Sequence, residues 1–150
     1  MRQRAITLKV AGKRPIGRNA SVSHRLPLVA NILVVEDEAM VLDLAESVLI
    51  DAGHDTVTAS SLPQAEAIMQ SDQPLDLIFT DINLHDELEG GLKVGQLSQG
   101  IPVLYTSGKP ITDNMRALFA ARSAFLPKPY RDHQVVDAVG ALLKPPRLQH

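Results

Sequence analysis

The chain has 150 residues in which 15 Lys and Arg nearly balance 17 Asp and Glu, giving a net charge of −2, and 45% of positions are apolar. The balance hides an asymmetry, because residues 1 to 30 carry seven bases and no acid (+7) while residues 31 to 150 carry −9. Without cysteine there is no disulfide scaffold or thiolate zinc module; 3% aromatic residues and no Trp argue against a base-stacking nucleic-acid platform, and no apolar run approaches the roughly 18 residues of a spanning helix.

The acidic part, residues 31 to 144, has the size and apolar content of one domain. Residues 145 to 150 are a short tail. The basic extension over residues 1 to 30 contains Gly12, Pro15, Gly17 and Pro27 without sustained periodicity. Residues 5 to 10 alternate enough for a short strand, but the extension as a whole reads as disordered. Its excess of Arg suits anionic lipid, nucleic acid or an acidic protein face, and equally an extension without a role.

From Asn31 onward, short apolar runs alternate with helical periodicity, as in an α/β domain with a parallel sheet. Ile32 to Val35 is a β-branched run suited to a strand buried on both faces, and it stops at Glu36-Asp37-Glu38. Val41, Leu44, Ala45, Val48 and Leu49 stripe a helix over 39 to 52 that Gly53 can end. Residues 55 to 59 form a second strand. Ser61-Leu62-Pro63-Gln64 opens a helix through Gln70 with capping-box spacing.

Leu75 to Thr80 predicts a third strand, ending at Asp81. Gly90, Gly91 and Gly95 weaken the helix expected around 91 to 99, which should be short or irregular. Pro102 to Tyr105 predicts a fourth strand ahead of Thr106-Ser107-Gly108. A helix over 113 to 121 is expected to bury Met115, Leu118 and Phe119. Ala124 to Leu126 is the fifth strand, followed by Lys128-Pro129, and Val135, Val136, Val139, Leu142 and Leu143 stripe a last helix closed by Pro145-Pro146.

In an open parallel sheet, ligands bind beyond the carboxyl ends of the strands. Those ends carry Glu36, Asp37, Asp81, Thr106 and Lys128. Taken singly each has a plainer explanation: an acid after a strand is often a helix cap, a Thr starts a turn, a Lys is solvated. Together they place three carboxylates at one edge, repelling by about 1 to 4 kcal/mol per close pair. Hard oxygen ligands without His or Cys suit Mg²⁺ shared with a phosphate. Lys128 supplies a point charge for phosphate, and the Thr106 hydroxyl a hydrogen bond to a phosphoryl oxygen. Metal-assisted phosphoryl transfer to a carboxylate uses every member of this set, and Asp81, alone at the end of the central strand, is the natural acceptor.

Four ordered motifs, Ile-Leu-Val-Val-Glu36-Asp37-Glu38, Leu-Ile-Phe-Thr-Asp81-Ile-Asn83-Leu, Val-Leu-Tyr-Thr106-Ser-Gly and Phe125-Leu-Pro-Lys128-Pro129-Tyr130, resemble the receiver domain of bacterial two-component response regulators over about residues 31 to 144. The resemblance implies a flavodoxin-like fold, a five-stranded parallel sheet of order 2-1-3-4-5 with five helices. It implies Asp81 as phosphoacceptor and a phosphohistidine of a sensor kinase or histidine phosphotransfer protein as donor. It implies Mg²⁺ held by Asp37 and Asp81, by Glu36 through water, and by the backbone carbonyl of Asn83. Lys128 would pair with the phosphoryl oxygens, and its bond to Pro129 matches a cis peptide of the family. Thr106 and Phe125 match the switch pair whose movement alters the face built by the fourth helix, fifth strand and fifth helix.

With about six residues after the last helix, no DNA-binding or enzymatic output domain is expected on this chain, so output falls to a protein partner, a relay or a phosphate sink. The composition suits the cytosol. The expected protein is a phosphoacceptor rather than an enzyme. Two other readings compete. A Mg²⁺-dependent phosphohydrolase with Asp81 as nucleophile would want a second acid where Asn83 stands, and Asn cannot transfer the proton. A phosphorylation-independent interaction module has no need of Asp37, Asp81, Thr106 and Lys128 together. In the loop 85 to 89, His85 and the neighbouring acids read as solvated.

Overall fold

Five short apolar runs form a parallel sheet in the computed structural model, which describes residues 29–85 and 87–145. The strands are β1 (Asn31–Val35), β2 (Asp55–Ala59), β3 (Leu77–Asp81), β4 (Val103–Ser107) and β5 (Ser123–Pro127). Their order is β2-β1-β3-β4-β5, the expected 2-1-3-4-5, with every pairing parallel. The described residues contain five helices: α1 (Ala39–Asp51), α2 (Leu62–Met69), α3 (Gly90–Gln96), α4 (Asp113–Arg116) and α5 (Asp132–Leu143). The basic extension up to residue 28, expected to be disordered, and the tail from residue 146 lie outside the described residues. Ala30 is buried and its carbonyl accepts the Asp55 N–H, so the folded unit includes it.

Strand alternation divides the core into two layers. Ile32, Val34, Leu77, Phe79 and Leu104 pack against Ala45 and Leu49 of α1 and Val135 and Val139 of α5. Leu33, Val35, Ile78, Val103 and Tyr105 pack on the other face, against Ala65 of α2 and Leu92 and Val94 of α3. In the register, Asp81 stands beside Thr106 and Thr106 beside Leu126. The phosphoacceptor candidate and the switch candidate are therefore neighbours across one strand pair.

Several elements depart from expectation. In α1 the buried line runs through Ala45, Glu46 and Leu49, with Leu42 and Val48 against the core, while Leu44 is 66% exposed. Glu46 can face inward because its carboxylate accepts a hydrogen bond from the Thr56 hydroxyl at 2.8 Å. Ser61 caps α2 as expected, accepting from the Gln64 N–H, but the Gln64 side chain reaches back to Ser60. Both β3 and β4 start and end later than predicted, which puts Asp81 and Thr106 inside strands.

The helix expected over 113 to 121 stops at Arg116, and Leu118 is exposed. The Tyr105 hydroxyl takes the Ala120 N–H at 2.9 Å, and the Phe119 ring stacks on Tyr105 with centroids 4.1 Å apart. These contacts draw the chain down onto β4 and out of the helical path. The glycines of α3 have a reason other than weak helicity. A Cβ on Gly91 would lie 2.0 Å from the Asp81 carbonyl oxygen, and one on Gly95 would lie 1.9 Å from the Tyr105 hydroxyl. Close approach of α3 to the sheet demands both.

Candidate functional site

The carboxyl edge of the sheet brings together Glu36 after β1, Asp81 at the end of β3, Thr106 in β4 and Lys128 after β5, with Asp37 beside them. Lys128 bridges two acids, its Nζ donating to Glu36 Oε1 at 3.0 Å and to Asp81 Oδ2 at 2.8 Å. The peptide bond from Lys128 to Pro129 is cis, as the motif implied. The Lys128 N–H donates to the Ser107 carbonyl, which ties the residue to β4. The second Asp81 oxygen, Oδ1, accepts the Asn83 N–H at 3.2 Å. Asp81 is thus buried with both oxygens held.

Carboxylate oxygens of Glu36, Asp37 and Asp81 lie within 4.8 Å of one another. Three acids that close need compensation. Burial pushes the Glu36 carboxyl up to about 7, helped by the Asp81 charge and opposed by hydrogen bonds from the Glu38 N–H and Lys128. A Glu36 carboxyl that binds a proton this readily relieves part of the repulsion. For Lys128 burial works against the charge, but the Asp81 and Glu36 carboxylates outweigh it and hold the ammonium above its ordinary range. The donors fit Mg²⁺ by their chemistry: all three are hard carboxylate oxygens gathered at one edge, with no His or Cys among them.

The Thr106 hydroxyl does not face Asp81. It donates to the Leu126 carbonyl on β5 at 2.7 Å. Phe125, the register partner of Tyr105, is partly buried and packs at the edge of the α3 side core, 6.4 Å from the Phe119 ring centroid. The Asn83 side-chain oxygen accepts the Glu89 N–H, so the amide braces the loop instead of entering the site.

The loop after β3 is exposed at residues 85, 88 and 89, as expected, but it is braced by specific contacts. Leu84 and Glu87 exchange two backbone hydrogen bonds, Glu87 pairs with Lys93, and Glu89 adopts φ 58° ahead of α3. Asp86 lies outside the described residues. His85, read from the sequence as a surface residue, places Nδ1 2.8 Å from Asp37 Oδ2. Its only sequence signal was proximity, four residues after Asp81. Tyr105, which holds the turn after α4, carries no sign of that role in the sequence beyond its place in the fourth strand.

The family described as Response regulator receiver domain matches residues 32–140. The chain is 35% identical over 109 residues to the alginate biosynthesis transcriptional regulatory protein AlgB of Pseudomonas aeruginosa, which covers 69% of this chain and 24% of that protein. It is 30% identical over 118 residues to the phosphate regulon transcriptional regulatory protein PhoB of the same organism, 75% of this chain and 51% of that one. The chain therefore spans at most about half the length of these relatives. Among solved structures, a response regulator receiver protein from Sinorhizobium medicae superimposes with a TM-score of 0.70 at 30% identity, over 77% of this chain and 94% of that one.

Proposed function

The chain belongs to the response regulator receiver domain family, and on that premise we propose that Asp81 accepts a phosphoryl group from a phosphohistidine of a sensor kinase or histidine phosphotransfer protein. The observation that carries this reading is the Lys128 ammonium held between Glu36 and Asp81 at the mouth of a three-carboxylate cluster. A purely structural ion pair has no need of the third acid.

In the transfer, an Asp81 oxygen attacks the donor phosphorus in line. The P–N bond breaks, a P–O bond forms, and the departing imidazole nitrogen keeps the electron pair. Burial of Asp81 strips water from the nucleophile, and the Asn83 N–H fixes its orientation. Lys128 is already within reach of the phosphoryl oxygens and shifts onto them as their charge replaces that of the carboxylate. Glu36, Asp37, Asp81 and the Asn83 carbonyl would hold Mg²⁺, which when bound supplies charge neutralisation at the phosphoryl oxygens.

Thr106 then exchanges the Leu126 carbonyl for a phosphoryl oxygen, and Phe125 turns further into the core, changing the face formed by α4, β5 and α5. That face passes the signal to a protein partner, or the domain relays or drains the phosphoryl group within a cytoplasmic relay. Among the described residues no helix is long and apolar enough to cross a membrane. The role is stoichiometric acceptance rather than turnover: the Asn83 amide is occupied by the Glu89 N–H and offers no proton for repeated hydrolysis.

Acetyl phosphate with Mg²⁺, or a cognate kinase, labels the wild-type chain and leaves Asp81→Asn unlabelled. Label that persists in Asp81→Asn overturns the assignment. Release of many equivalents of phosphate from an ester substrate favours the hydrolase.

A further inference from the structure

His85 has no part in accepting the phosphoryl group, yet its ring reaches the site. The Leu84–Glu87 bridge holds the turn that carries it, with buried Leu84 as the anchor and the Asn83 side chain bonded to the Glu89 N–H on the far side. From this braced position Nδ1 lies 2.8 Å from Asp37 Oδ2. A carboxylate only accepts hydrogen bonds, so Nδ1 carries the hydrogen.

Asp37 differs from the other two acids of the cluster. Lys128 contacts Glu36 and Asp81 and leaves Asp37 out. Repulsion from its neighbours favours an Asp37 carboxylate swung outward to water. The His85 N–H is the contact that opposes this. The ring itself is 86% exposed, and an ion-pair or hydrogen-bond contact that open adds little to folding stability. Its effect falls on the geometry of one carboxylate. A carboxylate has lone pairs for more than one partner, so Asp37 can bind a cation while keeping the histidine.

We propose that His85 is a positioning residue for the divalent cation, holding Asp37 turned toward Glu36 and Asp81 so that the three carboxylates are set before the ion arrives. The proposal rests on the Mg²⁺-dependent phosphoacceptor reading. Hydrogen-bonded partners of ligating groups commonly govern metal affinity by 10- to 100-fold, and the lower end suits an exposed donor.

The test titrates Mg²⁺ into the full chain by isothermal calorimetry and Mn²⁺ by electron paramagnetic resonance, without any phosphodonor. His85→Ala weakens both ions about 10-fold, while the circular dichroism spectrum and melting temperature without metal stay those of wild type. His85→Asn, whose amide nitrogen can stand where Nδ1 does, restores most of the affinity. Wild-type protein that binds neither ion overturns the cation reading and the proposal with it. Wild type that binds while His85→Ala binds equally tightly, or His85→Asn that is as weak as His85→Ala, overturns the positioning role alone.

Discussion

Gly91→Ala separates helix propensity from packing at the floor of the site. Gly91 sits in the first turn of α3 and donates its N–H to the Ile82 carbonyl at 2.8 Å. An added methyl would lie 2.0 Å from the Asp81 carbonyl oxygen and 2.7 Å from Ile82 Cα, where ordinary contact begins near about 3.5 Å. Both obstacles are backbone, so no rotamer relieves them, and α3 or the end of β3 must move by more than about 1 Å. Overpacking of this kind costs about 1 to 3 kcal/mol, against about 1 kcal/mol that Ala gains over Gly in a helix. With the severity of the overlap at the upper end, the net is a loss of about 1 to 2 kcal/mol, or about 4 to 8 °C in melting temperature for a domain of this size. Gly140→Ala in α5 is the matched control, since nothing lies within 4 Å of its new methyl, and it should gain about 0.5 to 1 kcal/mol. Thermal melts by circular dichroism compare the two, and acetyl phosphate labelling reports whether Asp81 has moved. A Gly91→Ala protein that melts at or above wild type would refute the close-approach reasoning.

Met40 and Leu44 stand one turn apart on α1, 78% and 66% exposed, close in sequence to Asp37. Glu at either position should slow phosphotransfer from a kinase by about 10-fold, equivalent to about 1.4 kcal/mol of docking, and leave labelling by acetyl phosphate unchanged; equal loss with both donors would show that the patch is not a landing surface. Tyr105→Phe leaves the Ala120 N–H without its acceptor and should cost about 1 to 3 kcal/mol, with faster amide exchange at Ala120, and unchanged exchange there would contradict the role given to the hydroxyl. His54 accepts the Ala30 N–H at Nδ1, and burial holds its pKa below the ordinary 6.5 despite the Asp55 charge. The unfolded chain therefore takes up the proton first, so this contribution to stability is intact above pH 6.5 and is lost as pH falls through the folded value. The difference in urea midpoint between wild type and His54→Gln should shrink on going from about pH 7.5 to about pH 5.5, and a constant difference would count against it.

The sheet was legible because short, continuous apolar runs such as Ile32 to Val35, rich in β-branched residues and cut off by polar residues such as Glu36-Asp37-Glu38, suit a strand covered on both faces better than a helix turn. The site was legible for the same reason: strand ends are fixed by those runs, and the parallel order carries Glu36, Asp81, Thr106 and Lys128 to one edge. What escaped depended on contacts between elements distant in sequence. The apolar spacing from Met115 to Phe119 fits a helix, and only the Tyr105 hydroxyl waiting across the core explains why the helix ends at Arg116. Gly91 and Gly95 read as helix breakers until the Asp81 carbonyl and Tyr105 hydroxyl are seen against them. Leu44 fits the apolar periodicity, yet the face turned inward carries Leu42 and Glu46, whose carboxylate is satisfied by the Thr56 hydroxyl on β2, a partner ten residues away. His85 carried no pattern at all, since its partner Asp37 lies 48 residues away.

The hydrogen bond from Thr106 to the Leu126 carbonyl acts as a detent. Both groups sit in the interior of adjoining strands, so rotation of the hydroxyl toward Asp81 leaves a carbonyl short of a partner. At about 1 kcal/mol for such a bond, the resting rotamer is favoured by a factor of about five before any phosphoryl oxygen is present. If Asp81 is phosphorylated as proposed, the phosphoryl group must outbid this one carbonyl for the Thr106 hydroxyl. Under the proposed function, the threshold for moving the hydroxyl is then set on β5, by a backbone carbonyl outside the acidic cluster.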